Sequence, residues 1–160
     1  MSTRALPAAV RKAAHFLAFG FGSGKIPFAP GTFGTLAAIP VYLLLQSLTA
    51  PVYAAVVVAL FILGIGLCQI TEQHLGTHDH GSIVWDEIVG YLVTMLMAPS
   101  GWEWIVLGFI LFRLFDIWKP FPIRQIERRI RGGFGNMLDD LLAGIYAWLV
   151  LQATAHYVFA

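Results

Sequence analysis

The sequence predicts an all-α fold: a multi-helix integral membrane bundle of about five apolar helices, preceded by an N-terminal interfacial helix. Three observations carry this. The 160 residues are 58% hydrophobic and only 12% charged, with a mean hydropathy of +0.75, whereas soluble domains run at roughly 45–50% apolar and about 25% charged. The apolar residues gather in five runs bounded by Pro, Gly or charge. The charges keep to alternate ends of those runs. A chain of this length makes one domain, residues 1–160.

Residues 1–21 carry Arg4, Arg11, Lys12 and His15 between Leu6, Val10, Phe16, Leu17 and Phe19. The apolar part is too short and too broken by charge for a signal peptide. A basic amphipathic helix on an anionic membrane surface fits better. Residues 22–35 form a loop dense in Gly and Pro. It is no P-loop, because the positions that need a leading Gly and a closing Ser or Thr hold Phe19 and Ile26. Such a loop feeding a helix still presents backbone N–H groups to an anion.

The apolar runs cover about 34–49, about 51–71, about 83–98, about 103–118 and about 138–159. Crossing the ~30 Å hydrocarbon core takes ~20 helical residues. The second and fifth runs qualify. The first, third and fourth are marginal, so they tilt little, thin the bilayer or enter partway. Runs of this length favour helix over strand, even at Val56-Val57-Val58. Cys68, the single cysteine, supports neither a disulfide framework nor a thiolate metal site. It reads as a small buried hydrophobe.

Numbering the run ends alternately puts residues 1–33, 72–87 and 113–140 on one side. Every Lys and Arg lies there, and every Asp and Glu except Glu103. The positive-inside rule makes that side the cytoplasm. A net charge of +1 gives no argument for a nucleic-acid partner, and none is expected.

Four polar blocks therefore meet at the cytoplasmic helix ends. They are the 22–35 loop with Lys25 and Thr32; Glu72 to Glu87 with Asp79, His80 and Asp86; Arg113 to Pro120 with Asp116 and Lys119; and Gly135 to Asp140. At about 100° per residue, Arg113, Asp116 and Lys119 share a helix face. An acidic residue at membrane depth costs roughly 2.5–3.5 kcal/mol, so it usually faces a partner or a function. Carboxylates held together bind protons unless a cation sits between them. Oxygen-only ligands select Mg²⁺, Ca²⁺ or Mn²⁺ over zinc, and Arg or Lys beside such a metal suits a phosphate.

Singly, each residue has a plainer reading. Asp139 would cap a helix N-terminus. Arg113 and Asp116 would make an i,i+3 ion pair. Lys119 would snorkel, and Arg124, Arg128, Arg129 and Arg131 would face headgroups. His74, His78 and His80 sit in a Gly-rich connection without the fixed frame a zinc site needs. The joint pattern on one membrane face is the more specific signal. The expected metal ligands are Asp86, Glu87, Asp139 and Asp140, with Asp79, Asp116 and Glu72 as further ligands or a general base. Lys25, Arg113, Lys119 and Thr32 are expected to grip phosphate. A metal-activated water is the simplest nucleophile, with an aspartyl-phosphate route left open.

The blocks, in order, resemble the phosphatidylglycerophosphatase A family. The matching residues are Gly22-Ser23-Gly24 through Pro30-Gly31-Thr32, then Asp79 through Glu87, Phe112-Arg113 to Asp116 with Lys119-Pro120, and Met137, Asp139-Asp140 and Ala143-Gly144. The resemblance implies a Mg²⁺-dependent lipid phosphomonoesterase of the bacterial inner membrane. It would convert phosphatidylglycerophosphate to phosphatidylglycerol at the cytoplasmic face. Other phosphatase routes lack their motifs: there is no Asp-x-Asp-x-Thr or Asp-x-Asp-x-Val nucleophile and no Cys-x5-Arg loop around Cys68. A divalent-cation transporter would use the same acids, but it needs polar residues deep along the helices, and only Gln69, Thr94 and little else are there.

Overall fold

The computed structural model describes residues 7–76 and 80–159. Asp79, expected among the ligands, lies outside the described residues, as do Arg4 and His78. Among the described residues the chain is all helix and turn, with no strand. In order come α1 (Ala8–Ala18), a 3₁₀ stretch (Gly20–Lys25), α2 (Pro30–Leu45), α3 (Ala50–Leu75), α4 (Trp85–Thr94), α5 (Trp102–Trp118), α6 (Ile123–Arg129) and α7 (Gly133–Phe159).

Local chemistry sets the boundaries, and three differ from expectation in ways that matter. Pro30 stands in the first turn of α2, where its missing N–H costs nothing and its fixed φ starts the helix. Gly31 and Thr32, which the Gly/Pro density marks as loop, are therefore helical. α3 runs past residue 71 until Gly76 takes φ +70 and returns its N–H to the Glu72 carbonyl, so Glu72 is a helical residue. α7 begins at Gly133 rather than near residue 138. Asp139 thus sits a turn and a half inside α7, which rules out a helix-capping role.

The third apolar run departs furthest. Its helix α4 has only ten residues, about 15 Å of rise, half of a hydrocarbon core. It is buried on nearly all sides, with Trp85, Asp86, Ile88, Val89, Gly90, Tyr91, Leu92 and Thr94 all inside. α2, α3, α5 and α7 surround it. Beyond the two acids of its first turn α4 is apolar on every side, as a core helix is, and it forms the core of this molecule.

α4 can sit so deep because α7 approaches it backbone to backbone. A Cβ added to Gly144 would lie 2.4 Å from the Gly90 carbonyl oxygen, and one on Gly90 would meet Phe112 at 2.5 Å. Thr94 Oγ1 donates to the Gly90 carbonyl at 3.1 Å and reaches the Gly144 carbonyl at 3.4 Å. Small residues with a bridging hydroxyl are the usual means of such helix contact in an apolar setting.

Two helices, α3 and α7, are long and apolar enough to cross a membrane, and a shorter apolar helix, α2, accompanies them. The expected count of about five such helices is thus met only in part. The outer faces of α2, α3, α5 and α7 leave Leu44, Val58, Ile62, Ile110, Leu114 and Leu149 exposed, a surface that suits membrane association.

Candidate active site

The N-terminus of α4 carries the centre of the site. Trp85 fixes that end by donating its indole N–H to the Leu60 carbonyl of α3 at 3.1 Å. The Val84 N–H binds the Ala18 carbonyl at the end of α1 at 2.9 Å. Asp86 and Glu87 follow in the first turn, where unpaired N–H groups favour negative charge. Glu87 donates its backbone N–H to Asp86 Oδ1 at 3.1 Å.

α7 brings Asp140 to the same point. Asp86, Glu87 and Asp140 each offer one carboxylate oxygen, and these oxygens lie within 4.8 Å of one another. Asp86 and Asp140 are buried. Asp116 of α5 acts electrostatically on both Asp140 and Glu87. Asp116 in turn pairs with Arg113 one turn earlier.

α2 closes the site from the other side. A Cβ placed on Gly31 would stand 2.4 Å from Glu87 Oε1 and 3.0 Å from Arg113 Nη1. Gly31 is thus the point where backbone, acid and guanidinium converge. Two polar atoms there are buried without a hydrogen-bond partner, Glu87 Oε2 and Arg113 Nε. A native structure rarely leaves such groups bare unless a ligand serves them.

A second polar group lies alongside. Lys119 closes α5 with φ +47 and binds Asp139 Oδ2 at 2.6 Å and Glu127 Oε1 at 2.7 Å. Burial alone would lower its ammonium, but Asp139 and Glu127 outweigh that and hold it above the ordinary lysine value.

The expected site residues therefore divide. Asp86, Glu87 and Asp140 come together, with Asp116 and Arg113 in contact around them. Asp139 does not join them; it turns to Lys119, leaving its Oδ1 buried and unpartnered. Glu72 is buried at the end of α3 and accepts from Asn136 Nδ2 at 3.0 Å. Thr32 is half-buried, one residue past Gly31. Lys25 goes elsewhere, into a separate cavity with Lys12 and His15. Gly31, Asn136 and Glu127 carried no assigned role in the sequence reading. The signal for Gly31 was its place directly after Pro30, at the first turn of a helix.

Chemically, three acids aimed at one point, two of them buried, fit a hard cation, because the donor set is all oxygen and Glu87 Oε2 is unserved. Arg113, tied to Asp116 and with a bare Nε, fits an adjoining oxyanion.

Comparison with known proteins identifies a family. The phosphatidylglycerophosphatase A family pattern matches residues 16–155. A phosphatidylglycerophosphatase A of Haemophilus influenzae is 49% identical over 146 residues, covering 90% of each chain. One from Escherichia coli is 45% identical over 144 residues, covering 89% of this chain and 84% of its own length. No solved structure matches.

Proposed function

The chain belongs to the phosphatidylglycerophosphatase A family, and from that premise we propose that it is a Mg²⁺-dependent lipid phosphomonoesterase. It hydrolyses phosphatidylglycerophosphate to phosphatidylglycerol and phosphate at the cytoplasmic face of the bacterial inner membrane, a step toward phosphatidylglycerol and cardiolipin. The observation that supports this most directly is the meeting of Asp86, Glu87 and Asp140 beside an arginine with a free N–H.

Asp86, Glu87 and Asp140 would hold Mg²⁺. When bound, the ion would offset their repulsion, stabilise charge on the phosphoryl oxygens and favour ionisation of water near neutral pH. Arg113 binds the terminal phosphate through Nε while Asp116 fixes the rest of its fork. Asp116 would take a proton from water as the new P–O bond forms, and solvent would return one to the glycerol oxygen as the old P–O bond breaks. Lys119 offers positive charge at the rim. The exposed apolar faces of α2, α3, α5 and α7 accommodate acyl chains, so the headgroup enters from the side.

The test is phosphate release from the lipid by purified protein with and without Mg²⁺. Asp86→Asn, Glu87→Gln and Asp140→Asn are each expected to lose on the order of 10²-fold or more in kcat. Full activity in a chelator, or in Asp86→Asn and Asp140→Asn, would overturn the reading.

A further inference from the structure

The reading above leaves the cavity at α1 unused. Its volume is about 440 Å³, and Lys12, His15, Phe16, Phe19, Gly22 and Lys25 line it. A reversal of the chain builds it: Phe21 and Gly22 take φ +60 and +102, so the 3₁₀ stretch folds back and returns Lys25 to α1. The Lys25 ammonium lies 5.8 Å from the centre of the Phe19 ring. His15 packs edge-on against His74 at 4.8 Å, and its Nε2 is buried with no hydrogen-bond partner.

Among the described residues the electrostatics of this cavity are one-sided. The side chains acting electrostatically on His15 are His74, Arg11 and Lys25. Among the described residues, no carboxylate pairs with Arg11, Lys12 or Lys25. Burial first, then His74, Arg11 and Lys25, lower the His15 imidazole from its ordinary value. Uncompensated lysines beside an unpartnered ring nitrogen favour an anion. The anion is one with an apolar part, because Phe16 and Phe19 form the wall, and Phe16 and the Phe21 ring packed against it are exposed.

We propose that this cavity is a non-catalytic site for the phosphodiester headgroup of an anionic phospholipid, gripped by Lys12 and Lys25 with His15 Nε2 completing the contact. The site rests on the membrane setting of the proposed function, not on the hydrolytic chemistry. Its consequence is positional. The end of α1 holds Val84, the residue before α4, through the Ala18 carbonyl, so a lipid clamped at α1 fixes the depth of Asp86 and Glu87 relative to the headgroups.

The experiment is native mass spectrometry of the full chain in neutral detergent with added phosphatidylglycerol, phosphatidylcholine or inorganic phosphate. The wild type and Asp140→Asn are expected to retain one phosphatidylglycerol in preference to phosphatidylcholine. Lys12→Ala/Lys25→Ala is expected to weaken retention roughly 10- to 30-fold, with helix content by circular dichroism unchanged as the folding control. Equal retention by the double variant overturns the site, as does equal retention of phosphatidylcholine. Displacement of the lipid by equimolar inorganic phosphate assigns the cavity to free phosphate and overturns the lipid. Retention by Asp140→Asn, which the proposed function makes inactive, keeps this result separate from the fate of the catalytic reading.

Discussion

Gly31 shows how far a single hydrogen atom decides this site. Its Cα faces Glu87 and Arg113 so closely that a methyl group would sit 2.4 Å from Glu87 Oε1, well inside van der Waals contact. Its backbone conformation is ordinary helix, so alanine brings no backbone strain, and elsewhere in a helix it would stabilise. The expected outcome of Gly31→Ala is a melting temperature close to wild type with kcat/KM lowered on the order of 10²-fold, the scale of a ~1 Å misplacement at a reacting centre. Parallel kinetics and thermal melts check this; a loss of folding with undiminished specific activity in the folded fraction would sink it. Asp139 teaches the complementary lesson. Its neighbour Asp140 joins the acidic cluster, while Asp139 turns to Lys119. Adjacent helical residues point about 100° apart, so the Asp139-Asp140 pair divides between two groups, and the sequence does not say which acid goes where.

At the scale of the element, α4 governs the geometry, because it carries Asp86 and Glu87 and lies against α7, which carries Asp140. The Gly90–Gly144 crossing sets their relative height. Gly144→Ala would push a methyl to 2.4 Å from the Gly90 carbonyl oxygen, and backbone cannot give way as a flexible side chain can. Overpacking of this kind costs about 1–3 kcal/mol, so the melting temperature is expected to fall. The acids would separate as α4 shifts, so the Mg²⁺ concentration for half-maximal activity is expected to rise. Measuring both in one preparation checks the coupling; a destabilised variant with an unchanged Mg²⁺ requirement would show that the crossing does not position the acids. The existence of these helices was legible in the sequence, since runs bounded by Pro and Gly near 34–49, 51–71, 83–98, 103–118 and 138–159 each carry one. The burial of α4 was not legible. A run apolar all round looks the same whether lipid or protein covers it, and only its ten-residue length and four neighbouring helices distinguish the two.

Across the whole molecule, stability and activity are set against each other at the acidic cluster. Asp86 and Asp140 are buried beside Glu87, and like charges so close oppose folding unless a cation or proton intervenes. Mg²⁺ binding to the folded state is therefore expected to raise the melting temperature of the wild type, by an amount that grows with the logarithm of ligand excess. Asp140→Asn is expected to melt higher than wild type in chelator while losing both its activity and its response to Mg²⁺. Thermal melts with and without Mg²⁺ test this. A wild type indifferent to the ion, or a variant less stable than wild type in chelator, would contradict it.

The sequence by itself determined that the chain is helical, where its apolar runs lie, that its charges collect at one set of helix ends, and which family it belongs to. Those properties are written in composition and order, because hydrophobic transfer and backbone hydrogen bonding act on each segment before any two segments meet. The tertiary structure alone decided that α4 is a core helix, that Asp140 rather than Asp139 meets Asp86 and Glu87, that Gly31 seats them against Arg113, and that Lys25 belongs to a different cavity. The reason is that each choice turns on the distance between groups from separate helices, and that distance is fixed by how closely two backbones can approach, a property that no single segment contains.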